Sequence, residues 1–144
     1  MNVSARVYTL ELAFDDREGV ALTDLSTNQR WVWPIETLGA ALIRPAADPV
    51  SQMFEQHHCG LDQVELTKPN GWRAERAEPG ERGFLLEFTG PEGRIVQHWE
   101  LEPLGVTVKT EIREWNAADP NLRPVSPGIV RSASGASPAL IPVY

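Results

Sequence analysis

The stretch Phe84-Leu85-Leu86-Glu87-Phe88-Thr89-Gly90-Pro91-Glu92-Gly93-Arg94-Ile95-Val96-Gln97-His98-Trp99-Glu100-Leu101-Glu102-Pro103-Leu104-Gly105-Val106-Thr107-Val108-Lys109-Thr110-Glu111-Ile112-Arg113-Glu114-Trp115 alternates apolar and polar residues. Two short Gly/Pro segments interrupt it without breaking the alternation. Successive side chains of a strand point to opposite faces, so this is the pattern of a three-stranded antiparallel meander with one buried and one wet face. A slip of one residue would turn every side chain to the wrong face, which lets the register be read. With Gly90–Gly93 as a four-residue loop, Phe88 lies opposite Ile95, Leu86 opposite Gln97 and Phe84 opposite Trp99. With Glu102–Gly105 as the second, Leu101 meets Val106, Trp99 meets Val108 and Ile95 meets Ile112. Pro at the second turn position and Gly at the close suit both loops.

The buried face then holds Phe84, Leu86, Phe88, Ile95, Trp99, Leu101, Val106, Val108 and Ile112, with Gln97 and Thr110 as one polar pair in its middle. Facing pairs such as Phe84 and Trp99 contribute roughly 0.2–1 kcal/mol each beyond burial. The other face carries Glu87, Thr89, Arg94, His98, Glu100, Thr107, Lys109, Glu111 and Arg113, with Leu85 and Val96 as its aliphatic members. Mixed charge of this kind belongs against water.

Working outward, residues 4–14 alternate, with Tyr8, Leu10, Leu12 and Phe14 on one side, and read as a first strand. Asp15-Asp16-Arg17-Glu18-Gly19 turns into a strand from Val20 to Leu25. Ser26-Thr27-Asn28 turns again into Gln29-Arg30-Trp31-Val32-Trp33, which Pro34 ends. Glu36 to Ile43 fits both a short helix and a buried strand, and is read as helix despite Gly39. Asp48 as N-cap, Pro49 at the first helical position and Gly60 at the end predict a helix near 49–58, with Val50, Met53, Phe54 and His57 on one face. Leu61 to Thr67 is a further strand. Trp72 to Ala77, dense in charge, reads as a protected edge strand.

After Asn116 the period is lost among five prolines. The expected organisation is one antiparallel β domain over residues 1–118 and a Pro-rich extended tail over 119–144 that docks as an edge strand or against a second copy. The fold class is mainly β, a β-rich α+β chain forming an antiparallel barrel or strongly curved sheet or sandwich of about eight to ten strands with one or two short helices.

At 144 residues the length suits a single domain, which buries about 68–70% of its unfolded surface and requires no covalent staple. One cysteine, Cys59, excludes an internal disulfide. The start lacks a secretory apolar stretch, and no segment approaches the ~18–20 apolar residues of a spanning helix. The expectation is a soluble, cytoplasmic protein. A net charge of −7 with scattered basic residues argues against nucleic acid, where affinity comes from neutralising phosphates.

His57-His58-Cys59 gathers three ligand-type side chains. Helical neighbours project about 100° apart, so the triplet cannot clamp one metal alone, and its ordinary role is packing. His98 and Glu100 point the same way from one strand. A histidine whose pKa lies near neutrality beside a carboxylate is the pair proton transfer needs, and these two are the candidate catalytic residues. Five tryptophans are the least ordinary feature of the composition. Trp99 is read as core. Trp31, Trp33, Trp72 and Trp115, with His57, are the candidate ligand-binding residues, because indole offers a broad apolar face and one donor to an aromatic guest.

No nucleophile elbow, phosphate loop, zinc-protease helix or zinc-spaced cysteine pair occurs, and no cofactor or metal site is expected. Arg30-Trp31-Val32-Trp33 with Glu114-Trp115-Asn116 resembles, over a small part of the chain, the galactose-mutarotase-like β-sandwiches. The resemblance includes none of their catalytic residues and implies no activity. The expected function is non-catalytic binding of a small apolar or aromatic molecule. The alternatives are a metal-independent lyase, isomerase or hydrolase using His98 and Glu100, and a homo-oligomeric module joined through residues 119–144.

Overall fold

A computed structural model describes residues 1–45, 64–67, 70–116, 118, 123–125 and 131–132. The protein is mainly β, built from antiparallel strands with one short helix among the described residues. The first five elements are β1 (Asn2–Val7), β2 (Leu10–Asp15), β3 (Gly19–Asp24), β4 (Gln29–Pro34) and α1 (Ile35–Leu38). There follow β5 (Ala41–Pro45), β6 (Val64–Thr67), β7 (Arg73–Pro79), β8 (Gly83–Gly90), β9 (Gly93–Glu102), β10 (Gly105–Trp115), β11 (Arg123–Val125) and β12 (Arg131–Ser132). They form one sheet in the order β1-β2-β3-β4-β12, a second in the order β10-β9-β8-β7 and a third in the order β11-β5-β6. These are separate hydrogen-bonded sheets, so among the described residues no barrel closes.

The β8–β9–β10 meander has the register the alternation dictates. Phe88 pairs with Ile95, Leu86 with Gln97, Phe84 with Trp99, Leu101 with Val106, Trp99 with Val108 and Ile95 with Ile112. Beyond Ile112 the ladder shifts, and Glu114 rather than Arg113 meets Arg94. Such a bulge strengthens the local twist. Two members of the meander depart from the expected burial. Ile112 has the expected side but is 50% exposed, because β10 is the outermost strand of its sheet. Val96, on the charged face, is only 4% exposed, set between Glu87 and Glu111 in the register.

The segment 4–14 is not one strand but a hairpin, with Val7 paired to Leu10 across Tyr8-Thr9. Tyr8 takes the left-handed conformation, φ 53°, that this turn requires. The pairing places Val3, Ala5 and Val7 on the face of Phe14, Leu12 and Leu10, so Val7 belongs to the core side and Tyr8, at the tip, to solvent. Glu36 to Ile43 is likewise divided, since α1 stops at Leu38 and β5 begins at Ala41. The edge strand β7 lies where its charges suggest, at the border of the second sheet. The helix expected near 49–58, residues 61–63 and most of 119–144 lie outside the described residues. Arg123–Val125 pairs with β5, and Arg131–Ser132 pairs with β4 at the border of the first sheet.

One core joins the first two sheets. Leu12, Phe14, Val20, Leu22 and Trp33 from one meet Phe84, Leu86, Phe88, Ile95, Trp99 and Leu101 from the other, with Leu38 of α1 between. Trp33 and Trp99 meet edge to face with ring centroids 5.1 Å apart, the arrangement the indole quadrupole favours. Gln97, the polar centre of the buried face, is fully enclosed. Its Nε2 donates to the Leu38 carbonyl (2.5 Å) and its Oε1 accepts from Trp99 Nε1 (2.9 Å).

Candidate functional site: a cleft at the β7–β8 end of the second sheet

Pro79 and Gly80 end β7, and the chain returns into β8 through Glu81 and Arg82. Gly80 N donates to Gly83 O (2.8 Å), and Leu101 N donates to Arg82 O (2.8 Å), which ties this turn to β9. Gly83 is required here, since a Cβ at that position would stand 1.8 Å from the Trp99 carbonyl oxygen. The close approach of the two backbones leaves an open cleft of ≈ 320 Å³ above them, lined by Glu78 to Leu85 and by His98 to Glu100.

Strand register explains which side chains meet there. Glu78 lies opposite Leu85, Leu85 opposite His98 and His98 opposite Lys109, so these four form a row across the wet face. Gly83 lies opposite Glu100 in the next row. The cleft thus sets three carboxylates, Glu78, Glu81 and Glu100, beside Arg82 and His98, around the apolar surface of Pro79 and Leu85. Glu78 also pairs with Arg76.

His98 and Glu100 therefore line one cleft, but the imidazole is engaged on its far side. His98 Nε2 is 3.3 Å from Glu111 Oε1, and Glu111 is held in turn by Arg113 at 2.8 Å and lies 4.0 Å from Lys109 Nζ. The Nε2 atom is shielded from solvent and makes no aligned hydrogen bond to Glu111. Along the same face Arg94 bridges Glu87 (3.3 Å) and Glu114 (2.8 Å). The charged face is a network of ion pairs, and His98 packs against its Glu111 member.

The candidate tryptophans are not brought to this cleft. Trp33 is buried against Trp99. Trp31 packs on the same core from β4, and Trp115 does so from the end of β10. Trp72 fills a notch between two glycines, where a Cβ on Gly39 would come within 2.4 Å of its side chain and one on Gly90 within 2.2 Å. His57, with His58 and Cys59, lies outside the described residues. Among the described residues no group of three or more His, Cys, Asp or Glu side chains is placed to hold a metal ion, and no helix is long and apolar enough to cross a membrane.

Glu78, Glu81 and Arg82 were not legible as site residues. They fall between the charged strand ending at Ala77 and the meander beginning at Phe84, beside the Pro79-Gly80 turn, and no pattern in the sequence marks them; the fold draws them around Leu85. No protein-family description matches the chain, and neither a curated protein nor a solved structure is similar to it.

Proposed function

We propose that the protein is a non-catalytic binding domain for a small molecule, seated in the cleft between the β7–β8 turn and β9. The supporting observation is the cleft itself, whose ≈ 320 Å³ falls within the size range of ligand pockets. Its lining specifies the guest. An apolar or aromatic body lies on Leu85 and Pro79, and hydroxyl or amine donors reach Glu78, Glu81 and Glu100, since ionised carboxylates only accept hydrogen bonds. Binding is favoured over proton transfer by His98 and Glu100 because Nε2 of His98 faces Glu111, away from the Leu85 side of the cleft.

Ligand-observed NMR against small aromatic amines and polyols tests this reading. Hits whose binding disappears in Leu85→Arg, a change that fills the cleft from a partly exposed position, are the expected result. An absence of hits, or hits indifferent to Leu85→Arg, would overturn it.

A further inference from the structure

We propose that Asn70-Gly71 is a self-modifying site, where the chain converts Asn70 into aspartate and isoaspartate with loss of ammonia, and that the isoaspartate form weakens the seating of Trp72. Asparagine is thermolabile because its side-chain amide carbon can close a five-membered ring with the next backbone nitrogen. The side chain of that next residue ordinarily crowds the nitrogen and slows the attack. The bend at Gly71 removes this obstacle. Gly71 has φ +74°, a left-handed conformation that residues with a Cβ rarely adopt, and a Cβ there would also stand 3.1 Å from Pro91 Cγ. The backbone thus demands glycine, and glycine leaves its nitrogen open. Among the asparagines of the chain only Asn70 precedes a glycine. Asn70 and Gly71 are both exposed, so water and hydroxide reach them.

Hydroxide takes the Gly71 N–H proton, and the nitrogen attacks Asn70 Cγ. The N–Cγ bond forms, the Cγ–Nδ2 bond breaks, and Nδ2 leaves as ammonia after taking a proton from water. The resulting succinimide then takes up water. Breaking the N–Cγ bond gives aspartate, whereas breaking the bond from nitrogen to the Asn70 backbone carbonyl carbon gives isoaspartate. Each product adds a negative charge. Isoaspartate also routes the main chain through Cγ and so lengthens it by a methylene, two bonds' reach before the residue that leads into β7. That residue, Trp72, packs on the core and fills the notch where a Cβ on Gly39 would come within 2.4 Å of its side chain and one on Gly90 within 2.2 Å. A seat bounded so closely does not accommodate a displaced main chain.

Ageing the folded full chain at mildly alkaline pH, followed by peptide mass mapping, provides the test. The peptide holding Asn70 is expected to gain the mass difference between an amide and an acid many times faster than those holding Asn28 and Asn116, which are also exposed. Its rate should rise with hydroxide, and the product should accept methyl groups from S-adenosylmethionine through an isoaspartyl carboxyl methyltransferase. Asn70→Gln, which would have to close a larger ring, is expected to lose both signals with unchanged circular dichroism, and to keep its melting temperature when aged in parallel. Asn70→Asp supplies the charge without the longer main chain, so the aged wild type is expected to melt several degrees below it. An Asn70 that reacts no faster than Asn28 in the folded chain, or an aged, isoaspartate-rich chain that melts level with Asn70→Asp, would overturn the proposal.

Discussion

Gln97 is the residue on which the interior polarity turns. A buried amide is tolerated only when its donors and acceptors are matched, and Gln97 serves the Leu38 carbonyl and the Trp99 indole N–H at once. Gln97→Leu keeps the volume approximately but removes the donor to the Leu38 carbonyl and the acceptor of the Trp99 indole N–H. The expected loss is about 1–3 kcal/mol for the buried indole N–H deprived of its acceptor, read from the midpoint of urea unfolding. The polar position itself was legible in the alternation. Its partner in α1 was not, since nothing in local sequence ties residue 97 to residue 38. At the surface, the hydrogen bond from Arg30 to Glu18 (2.5 Å) holds the Glu18 carboxyl below the ordinary glutamate range. A lowered folded-state pKa contributes stability that is present above the unfolded pKa and is lost as pH falls through the folded one. Arg30→Ala should therefore flatten the acid limb of the stability curve by a few tenths of a kcal/mol, the scale of an exposed pair, and leave the basic limb unchanged in pH-dependent melts.

Among the elements, the β1–β2 hairpin shows where periodicity misleads. Its turn, Tyr8-Thr9, contains none of Gly, Asn, Asp or Pro, and the apolar Tyr8 falls in step with Leu10, Leu12 and Phe14. The inward set changes from odd to even positions across the turn, and the tyrosine ring disguises the change. The β8–β9–β10 meander was legible for the opposite reason, because each of its turns carries Pro and Gly at the positions the geometry demands. In the hairpin, the left-handed backbone of Tyr8 is strained for an aromatic residue, whereas Asn28, φ 57°, uses a residue suited to it. Tyr8 is 81% exposed, so little packing is lost on replacing it. Tyr8→Asn should raise stability by about 0.5–1 kcal/mol, and Asn28→Val should lower it by about 1–2 kcal/mol. Thermal melts of both variants decide the point; a loss in Tyr8→Asn would favour a continuous strand through residue 8. The division of 36–43 has a related cause. Pro34 and Gly39 bracket too few residues for a helix of any length, and the apolar run after Gly39 continues as β5.

At the scale of the molecule, the first two sheets have no hydrogen-bonded strand in common, yet they share one core through Trp33, Trp99 and Leu38. Their stabilities are therefore coupled by packing and not by backbone pairing. Removing the Trp33 ring opens a cavity that lies against Trp99, at the centre of the second sheet, and the loss expected for Trp33→Ala is about 3–5 kcal/mol. The coupling decides how that loss is distributed. If burial between the sheets holds both, hydrogen-exchange protection falls by the same factor in β2–β3 as in β8–β9, and fluorescence and circular dichroism report a single transition. If each sheet is stable by itself, only the strands beside Trp33 lose protection while β8–β9 keep theirs. The Gln97 bridge from β9 to α1, and the contact of β1 with β7, β8 and β9, both predict the first outcome.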